Sequence, residues 1–176
     1  DHRASEFGEA LRSDDCAEEG GACAPPFQNI GVYIVNGDMN LISGNMIRGH
    51  SQSGVVMDGD ARTNTVSWNT IRSNDFRGVF LNGSPADGNR IVSNTIDSGS
   101  SGTFQDRGIV ITQGDMNLLR GNTIRGHSVS GLHMDTDAST NTVEGNTIRS
   151  NGFAGIYMTG AAVDGNRIVA NTIDSG

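Results

Sequence analysis

Hydrophobic positions along this chain come in short alternating runs separated by polar bends. Six runs open with glycine and place two apolar residues around one variable residue: Gly31-Val32-x-Ile34, Gly54-Val55-x-Met57, Gly78-Val79-x-Leu81, Gly108-Ile109-x-Ile111, Gly131-Leu132-x-Met134 and Gly155-Ile156-x-Met158. A period of two over so few residues predicts short β-strands. Two further apolar columns follow each run, Ile42, Val66, Ile91, Leu119, Val143, Ile168 and then Ile47, Ile71, Ile96, Ile124, Ile148, Ile173. Three apolar stripes per repeat, separated by bends, describe a coil with three strand faces that stacks on its neighbours along one axis.

Asparagines mark the bends. The pattern Asn-x-apolar-x-x-Asn-x-Ile recurs at Asn40/Asn45, Asn64/Asn69, Asn89/Asn94, Asn117/Asn122, Asn141/Asn146 and Asn166/Asn171, with first asparagines 24, 25, 28, 24 and 25 residues apart. That is the period of a solenoid. Asn at a bend satisfies local backbone groups and tolerates left-handed backbone angles. Stacked at about 4.8 Å, identical amides are also placed to hydrogen-bond as a ladder. On these residues the stretch from about 30 to 176 resembles the right-handed parallel β-helix repeat family, the coil of pectate lyase-like and other carbohydrate-acting proteins. The expected fold is therefore all-β, a right-handed parallel β-helix of about six coils with a short N-terminal cap. Leucine-rich, nonapeptide calcium-binding and hexapeptide repeats do not fit, because leucine is sparse and no nine- or six-residue beat appears.

A longer repeat overlies the coils. Residues 31–97 align without a gap on 108–174 at an offset of 77, sharing Gly-Asp-Met-Asn, Ile-Arg-Gly-His-Ser and Asp-Gly-Asn-Arg-Ile-Val. The solenoid is thus a duplicated three-coil block, 31–107 and 108–176, with a Gly/Ser-rich excursion over residues 98–107 read as a surface loop. Residues 1–30 belong to neither block. Phe7, Ala10 and Leu11 at helical spacing after Ser5 predict a short cap over the open first coil. A disulfide between Cys16 and Cys23 is expected there, the alternative being two free thiols, and the bridge would place the protein outside the reducing cytosol. The chain begins at Asp1 and stops after Asn-Thr-Ile-Asp-Ser-Gly. A segment of a longer solenoid, or end-to-end association, is expected from that ending.

Composition narrows the partners. A formal charge of −8 argues against general nucleic-acid binding. No stretch of 18 apolar residues exists to span a membrane as a helix. A secreted, cell-surface or periplasmic setting is expected.

Candidate chemistry lies in the outward columns. The first outward column of the glycine-led strand reads Tyr33, Val56, Phe80, Val110, His133, Tyr157, an apolar and aromatic stripe suited to stacking on sugar rings. The next reads Val35, Asp58, Asn82, Thr112, Asp135, Thr159. His133, Asp135 and Tyr157 are the candidate catalytic set, a patch able to move protons at a sugar carbon beside a uronate carboxylate. The alternative is an ordinary solvated strand face. Arg48, Arg72, Arg125 and Arg149 follow the last core isoleucine and form a row able to grip carboxylates or sulfates, or one balanced by Asp97 and Asp174 in the same column. With Tyr33 and Phe80 they make up the expected substrate-binding set. Asp58, Asp60, Asp135 and Asp137 are the candidate Ca²⁺ ligands, although no recognised calcium loop is present. His50 and His127 occupy identical Arg-Gly-His-Ser turns, which favours a structural role. The outward threonines 70, 95, 123, 147 and 172 are explained by β-propensity rather than by ice binding.

The family resemblance implies two functions of different class. One is an extracellular or periplasmic β-helix that binds or processes an acidic polysaccharide on the glycine-led strand face, as a lyase, hydrolase or epimerase. The other is a noncatalytic adhesin or spike-type segment. Alginate epimerases of this fold carry an Asp-Pro-His motif, whereas Pro25, Pro26 and Pro85 are the only prolines here and none precedes histidine.

Overall fold

The structure is a computed structural model and describes residues 28–99 and 105–176. The expected N-terminal cap helix and the Cys16–Cys23 bridge lie outside the described residues. Each coil contributes one six-residue strand and two three-residue strands. The first coil supplies β1 (Ile30–Val35), β2 (Leu41–Ser43) and β3 (Met46–Arg48), and the sixth supplies β16 (Ala154–Thr159), β17 (Arg167–Val169) and β18 (Thr172–Asp174). Equivalent strands pair in parallel, coil to coil, into three six-stranded sheets. Sheet A holds the long strands, sheet B the strands of the β2 type and sheet C those of the β3 type. None of the described residues is helical, so among them no helix is long and apolar enough to cross a membrane.

The apolar columns read from the sequence are the core. Val55, Met57, Val66, Ile71, Val79, Leu81, Ile91, Ile96, Ile109, Ile111, Leu119, Leu132, Met134 and Ile148 are fully buried in one continuous cluster. In the sixth coil Ile168 and Ile173 have a neighbouring rung on one side only and remain 42% and 51% exposed.

Glycine is the second residue of each long strand for a steric reason. A Cβ on Gly108 would sit 2.5 Å from the Gly131 carbonyl oxygen and 2.5 Å from Ile124 Cγ2, distances no side chain tolerates. A Cβ on any of the other five glycines at this position would face the corresponding isoleucine methyl at 2.4–2.6 Å. At this corner the chain passes so close to the core that no side chain fits, a packing requirement rather than one of backbone angle.

Three corners separate the three sheets, and each uses the same two-residue device. The residue immediately before each corner amide takes the left-handed conformation: Met39, Thr63, Gly88, Met116, Thr140 and Gly165 before the first asparagine column, and Gly44, Trp68, Ser93, Gly121, Gly145 and Ala170 before the second. The asparagines tolerate such angles but do not take them here; the preceding residue turns the chain and leaves the amide pointing along the stack. Asn94 shows the result. Its Oδ1 accepts from the Asn69 backbone N–H at 2.9 Å and from Asn69 Nδ2 at 3.1 Å, while its own Nδ2 donates to the Val66 carbonyl and to Asn122 Oδ1. All four of these contacts satisfy buried polar groups inside an otherwise apolar stack.

The third corner, from sheet C back to sheet A, carries a mixed column. His50 Nδ1 lies 2.8 Å from Asn74 Oδ1, Asn74 Nδ2 donates to Gln105 Oε1 at 3.3 Å, and Gln105 Nε2 lies 3.4 Å from His127 Nδ1. The His127 backbone N–H donates to Asn151 Oδ1 at 3.1 Å. The structural role expected of the two turn histidines is what this column shows. His127 is 1% exposed, and burial holds its pKa down at about 4 from 6.5.

Candidate functional site

The outward columns of sheet A are in the expected register. Tyr33, Val56, Phe80, Val110, His133 and Tyr157 pair in sequence from coil to coil, and so do Val35, Asp58, Asn82, Thr112, Asp135 and Thr159. The first column is less open than alternation suggests. Val56, Val110 and His133 point away from the core and yet are buried, 6%, 4% and 9% exposed. Bulkier side chains flank them on adjacent rungs, and Tyr157 stacks on His133 with ring centroids 4.9 Å apart and planes inclined by 29°. Phe153, just before the same strand, meets Tyr157 edge-on at 5.2 Å. Three aromatic rings in contact form the upper part of the face.

Two arginines complete the face, and the sequence reading missed both. Arg77 and Arg107 open the third and fourth long strands and are direct register partners. The columns read from sequence began one residue later, at the glycine. The signal was present in the position before it, which reads Ile30, Ser53, Arg77, Arg107, Ser130, Ala154. The Arg77 guanidinium lies 4.2 Å from the centroid of the Phe80 ring and 5.2 Å from that of Phe76, which orients it by cation–π attraction. Like charges on adjacent rungs repel. Among the described residues neither guanidinium has a carboxylate within ion-pair distance; the pairs present are Arg62–Asp60, Arg120–Glu144 and Arg125–Asp97. Burial, and then the neighbouring Arg107, lower the Arg77 pKa, with Asp106 acting the opposite way.

His133 feels both cations. Burial lowers its pKa first, Arg107 lowers it further, Asp135 opposes, and Arg77 adds a smaller push down. Its imidazole is therefore neutral at pH 7. On this face Nε2 of His133 and Nε of both Arg77 and Arg107 are buried without a partner among the described residues, as are Ser130 Oγ and, in the corner columns, Asn117 Nδ2, His127 Nε2 and Asn151 Nδ2. Groups left unsatisfied at an outward-facing position are poised for an incoming ligand. Of the expected catalytic set, the structure brings His133 and Tyr157 into contact and puts Asp135 two residues along the same strand, where its Oδ1 accepts from the Thr136 hydroxyl at 3.1 Å.

The remaining candidates fall elsewhere. Tyr33 is three rungs from Val110, half exposed, and its hydroxyl donates to Asp58 Oδ2 at 2.8 Å; that bond raises the Tyr33 pKa. Asp58 Oδ1 accepts from the Gly59 N–H and from Asn82 Nδ2. Asp60 pairs with Arg62 at 2.6 Å. Asp58 and Asp60 belong to the second coil and Asp135 and Asp137 to the fifth, and no group of three or more ligating side chains converges among the described residues. Loop aspartates cap backbone groups of adjacent coils instead: Asp38, Asp87 and Asp115 accept from the N–H groups of Arg62, Asp115 and Ser139. The four aspartates expected to hold Ca²⁺ are therefore not assembled into a cage. Arg48, Arg72, Arg125 and Arg149 line up on the outer face of sheet C with Asp97 and Asp174, as read from the sequence.

A stacked three-sheet coil with amide ladders at its corners defines the class, and the chain belongs to the right-handed β-helix family, whose model matches residues 30–176. Among solved structures it is similar to the periplasmic alginate epimerase AlgG. The unsubstituted enzyme superimposes with a TM-score of 0.70 and a single-substitution form with 0.72, each at 18% identity, covering 82% of this chain and 36% of the enzyme. The chain thus spans about a third of that enzyme's length, and the likeness is one of fold. No curated protein sequence matches.

Proposed function

We propose that this protein binds an acidic polysaccharide across the outward face of sheet A, with Arg77 and Arg107 receiving a uronate carboxylate. The observation that carries the reading is that guanidinium pair, held in register on adjacent rungs with no carboxylate within ion-pair distance among the described residues. Planar guanidiniums suit carboxylate oxygens, and a shared anion removes their mutual repulsion. Phe76, Phe80, Phe153 and Tyr157 supply aromatic surface on either side for sugar rings. The similarity to an alginate epimerase fits this class of ligand and an extracytoplasmic location.

His133 favours a second reading, in which the face also processes the polymer. A neutral imidazole with a free Nε2, beside two cations that would stabilise a carboxylate-linked carbanion, has the attributes of a general base at the carbon next to that carboxylate. Tyr157 fixes the ring by stacking, and Asp135 favours the imidazolium once the proton arrives. Proton removal at that carbon is the step shared by lyases and epimerases.

The test is calorimetric titration of the whole chain with alginate and pectate oligomers. Binding that weakens at least about tenfold in Arg77→Gln/Arg107→Gln supports the reading; unchanged affinity overturns it and leaves a noncatalytic adhesin or spike segment. For the second reading, incubation in deuterated water followed by NMR reports proton exchange at the sugar carbon. Exchange must vanish in His133→Gln while binding persists.

A further inference from the structure

All 12 cationic side chains of this acidic chain are arginine, with no lysine. Four of them form one row on sheet C, a different sheet from the one that carries Arg77 and Arg107. In that row Arg48 pairs in register with Arg72, Arg72 with Asp97, Asp97 with Arg125, Arg125 with Arg149, and Arg149 with Asp174. Only one ion pair forms along it: Arg125 Nε and Nη2 reach Asp97 Oδ2 at 2.8 and 2.6 Å. Asp97 is further engaged by the Gly99 N–H at 2.9 Å. That interaction, together with Arg125, outweighs burial and lowers the Asp97 pKa.

Beside this pair runs a groove of about 560 Å³ bordered by Arg72, Asp97, Arg125 and Arg149, with Ser98 and Ser150 at its edge. Three guanidiniums therefore face one carboxylate, an excess of positive charge in a molecule of net charge −8. Arg72 and Arg149 have no ion-pair partner among the described residues. The Arg48/Arg72 and Arg125/Arg149 neighbours are like-charge pairs, the arrangement that destabilises a sheet when no anion lies between. Asp97 pins Arg125 across the middle of the groove and leaves the outer two arginines free to turn towards a ligand.

The geometry points to a second anion-binding site on sheet C, built by Arg72, Arg125 and Arg149, that takes the sulfate or carboxylate groups of a polyanionic glycan. It extends the polysaccharide reading but does not use the sheet A face, so a polymer engaging both surfaces would gain avidity. Exposed guanidiniums interact weakly one at a time, and the multiple charges of a polymer are what make such a row effective.

Two double variants separate the surfaces, Arg72→Gln/Arg149→Gln on sheet C and Arg77→Gln/Arg107→Gln on sheet A. Each is titrated, with the parent, against dextran sulfate and against alginate at two salt concentrations. The expected result is a loss of roughly tenfold in dextran sulfate affinity in the sheet C variant. The sheet A variant should keep that affinity, and the parent's affinity should fall steeply with salt. Parent-like dextran sulfate and alginate affinity in the sheet C variant overturns the inference, and if the sheet A variant alone loses alginate, the sheet A reading survives it. Loss in the sheet C variant alone upholds the inference and removes the sheet A reading. A parent that binds neither polymer overturns both.

Discussion

The two blocks of the duplication share one interior and differ on the surface. Positions 77 apart repeat the core and the corner amides: Asn64 matches Asn141, His50 matches His127, and Ile71 matches Ile148. On the outer face of sheet A the copies part. Val56 of the first block corresponds to His133, Phe80 to Tyr157, Arg77 to Ala154, and Ile30, just ahead of the first block, to Arg107. Arg77 and Arg107 therefore meet only where the third coil stacks on the fourth, at the seam between the copies. Interior positions answer to neighbours on both sides and tolerate little change, whereas outward positions diverge freely. The candidate site is made of residues that broke the repeat.

The largest effect tests the shared interior. Gly108→Val would drive a side chain into the Gly131 carbonyl and the Ile124 methyl, and should destabilise by more than about 4 kcal/mol or prevent folding. Gly31→Val meets the Gly54 carbonyl and Ile47 Cγ2 at 2.6 Å each and should fail alike in urea denaturation. A well-folded Gly31→Val protein beside a collapsed Gly108→Val would show that the blocks do not pack alike. The amide ladder comes next. Asn94→Ala orphans the buried Asn69 N–H and the Val66 carbonyl, at a cost of about 3 kcal/mol. Asn40 is exposed and at the first rung, so Asn40→Ala should cost less than about 1 kcal/mol.

The interior was legible because a solenoid turns sequence periodicity directly into vertical columns; the register of Ile47, Ile71 and Ile96 follows from spacing alone. Two things were not legible. Left-handed angles at Met39, Thr63 and Trp68 carry no compositional mark, since such residues rarely adopt them and hold them only where the surrounding stack fixes the bend. The Arg77–Arg107 pair was hidden for another reason. The columns begin at the glycine, and the position before it, which reads Ile30, Ser53, Arg77, Arg107, Ser130, Ala154, repeats no residue type that would mark it as a column; strand pairing puts the two arginines on adjacent rungs. The aspartates misled in the opposite direction. Asp58, Asp60, Asp135 and Asp137 suggested a cation, but they lie in the second and fifth coils, where Asp58 accepts from the Gly59 N–H and Asn82 Nδ2, Asp60 pairs with Arg62, and Asp135 accepts from the Thr136 hydroxyl.

Protonation of the third corner separates the copies by environment. His127 is buried and has a folded pKa of about 4, against 6.5 when exposed. The unfolded chain thus binds the proton more readily. The neutral histidine's contribution is fully present above pH 6.5 and is lost as pH falls through that value towards 4, by about 3 kcal/mol in all. Thermal unfolding between pH 7 and 4 should record this decline. His127→Asn, which copies Asn74 and Asn151 of the same column, should flatten it. An unaltered pH profile in that variant would mean that another group sets the acid sensitivity.

The smallest expected change in stability is the most telling about the seam. Arg77→Ala with Arg107→Ile restores at each position the residue found in the other copy, Ala154 and Ile30. It removes a like-charge register pair and two buried Nε atoms that lack partners. The unliganded protein should therefore hold its stability or gain up to about 1 kcal/mol, while alginate-oligomer binding is lost. Structural residues behave in the reverse way, since removing them lowers stability first. If the double variant unfolds more easily than the parent and still binds, the arginines serve the stack rather than a ligand, and the divergence of the copies at the seam has no bearing on recognition.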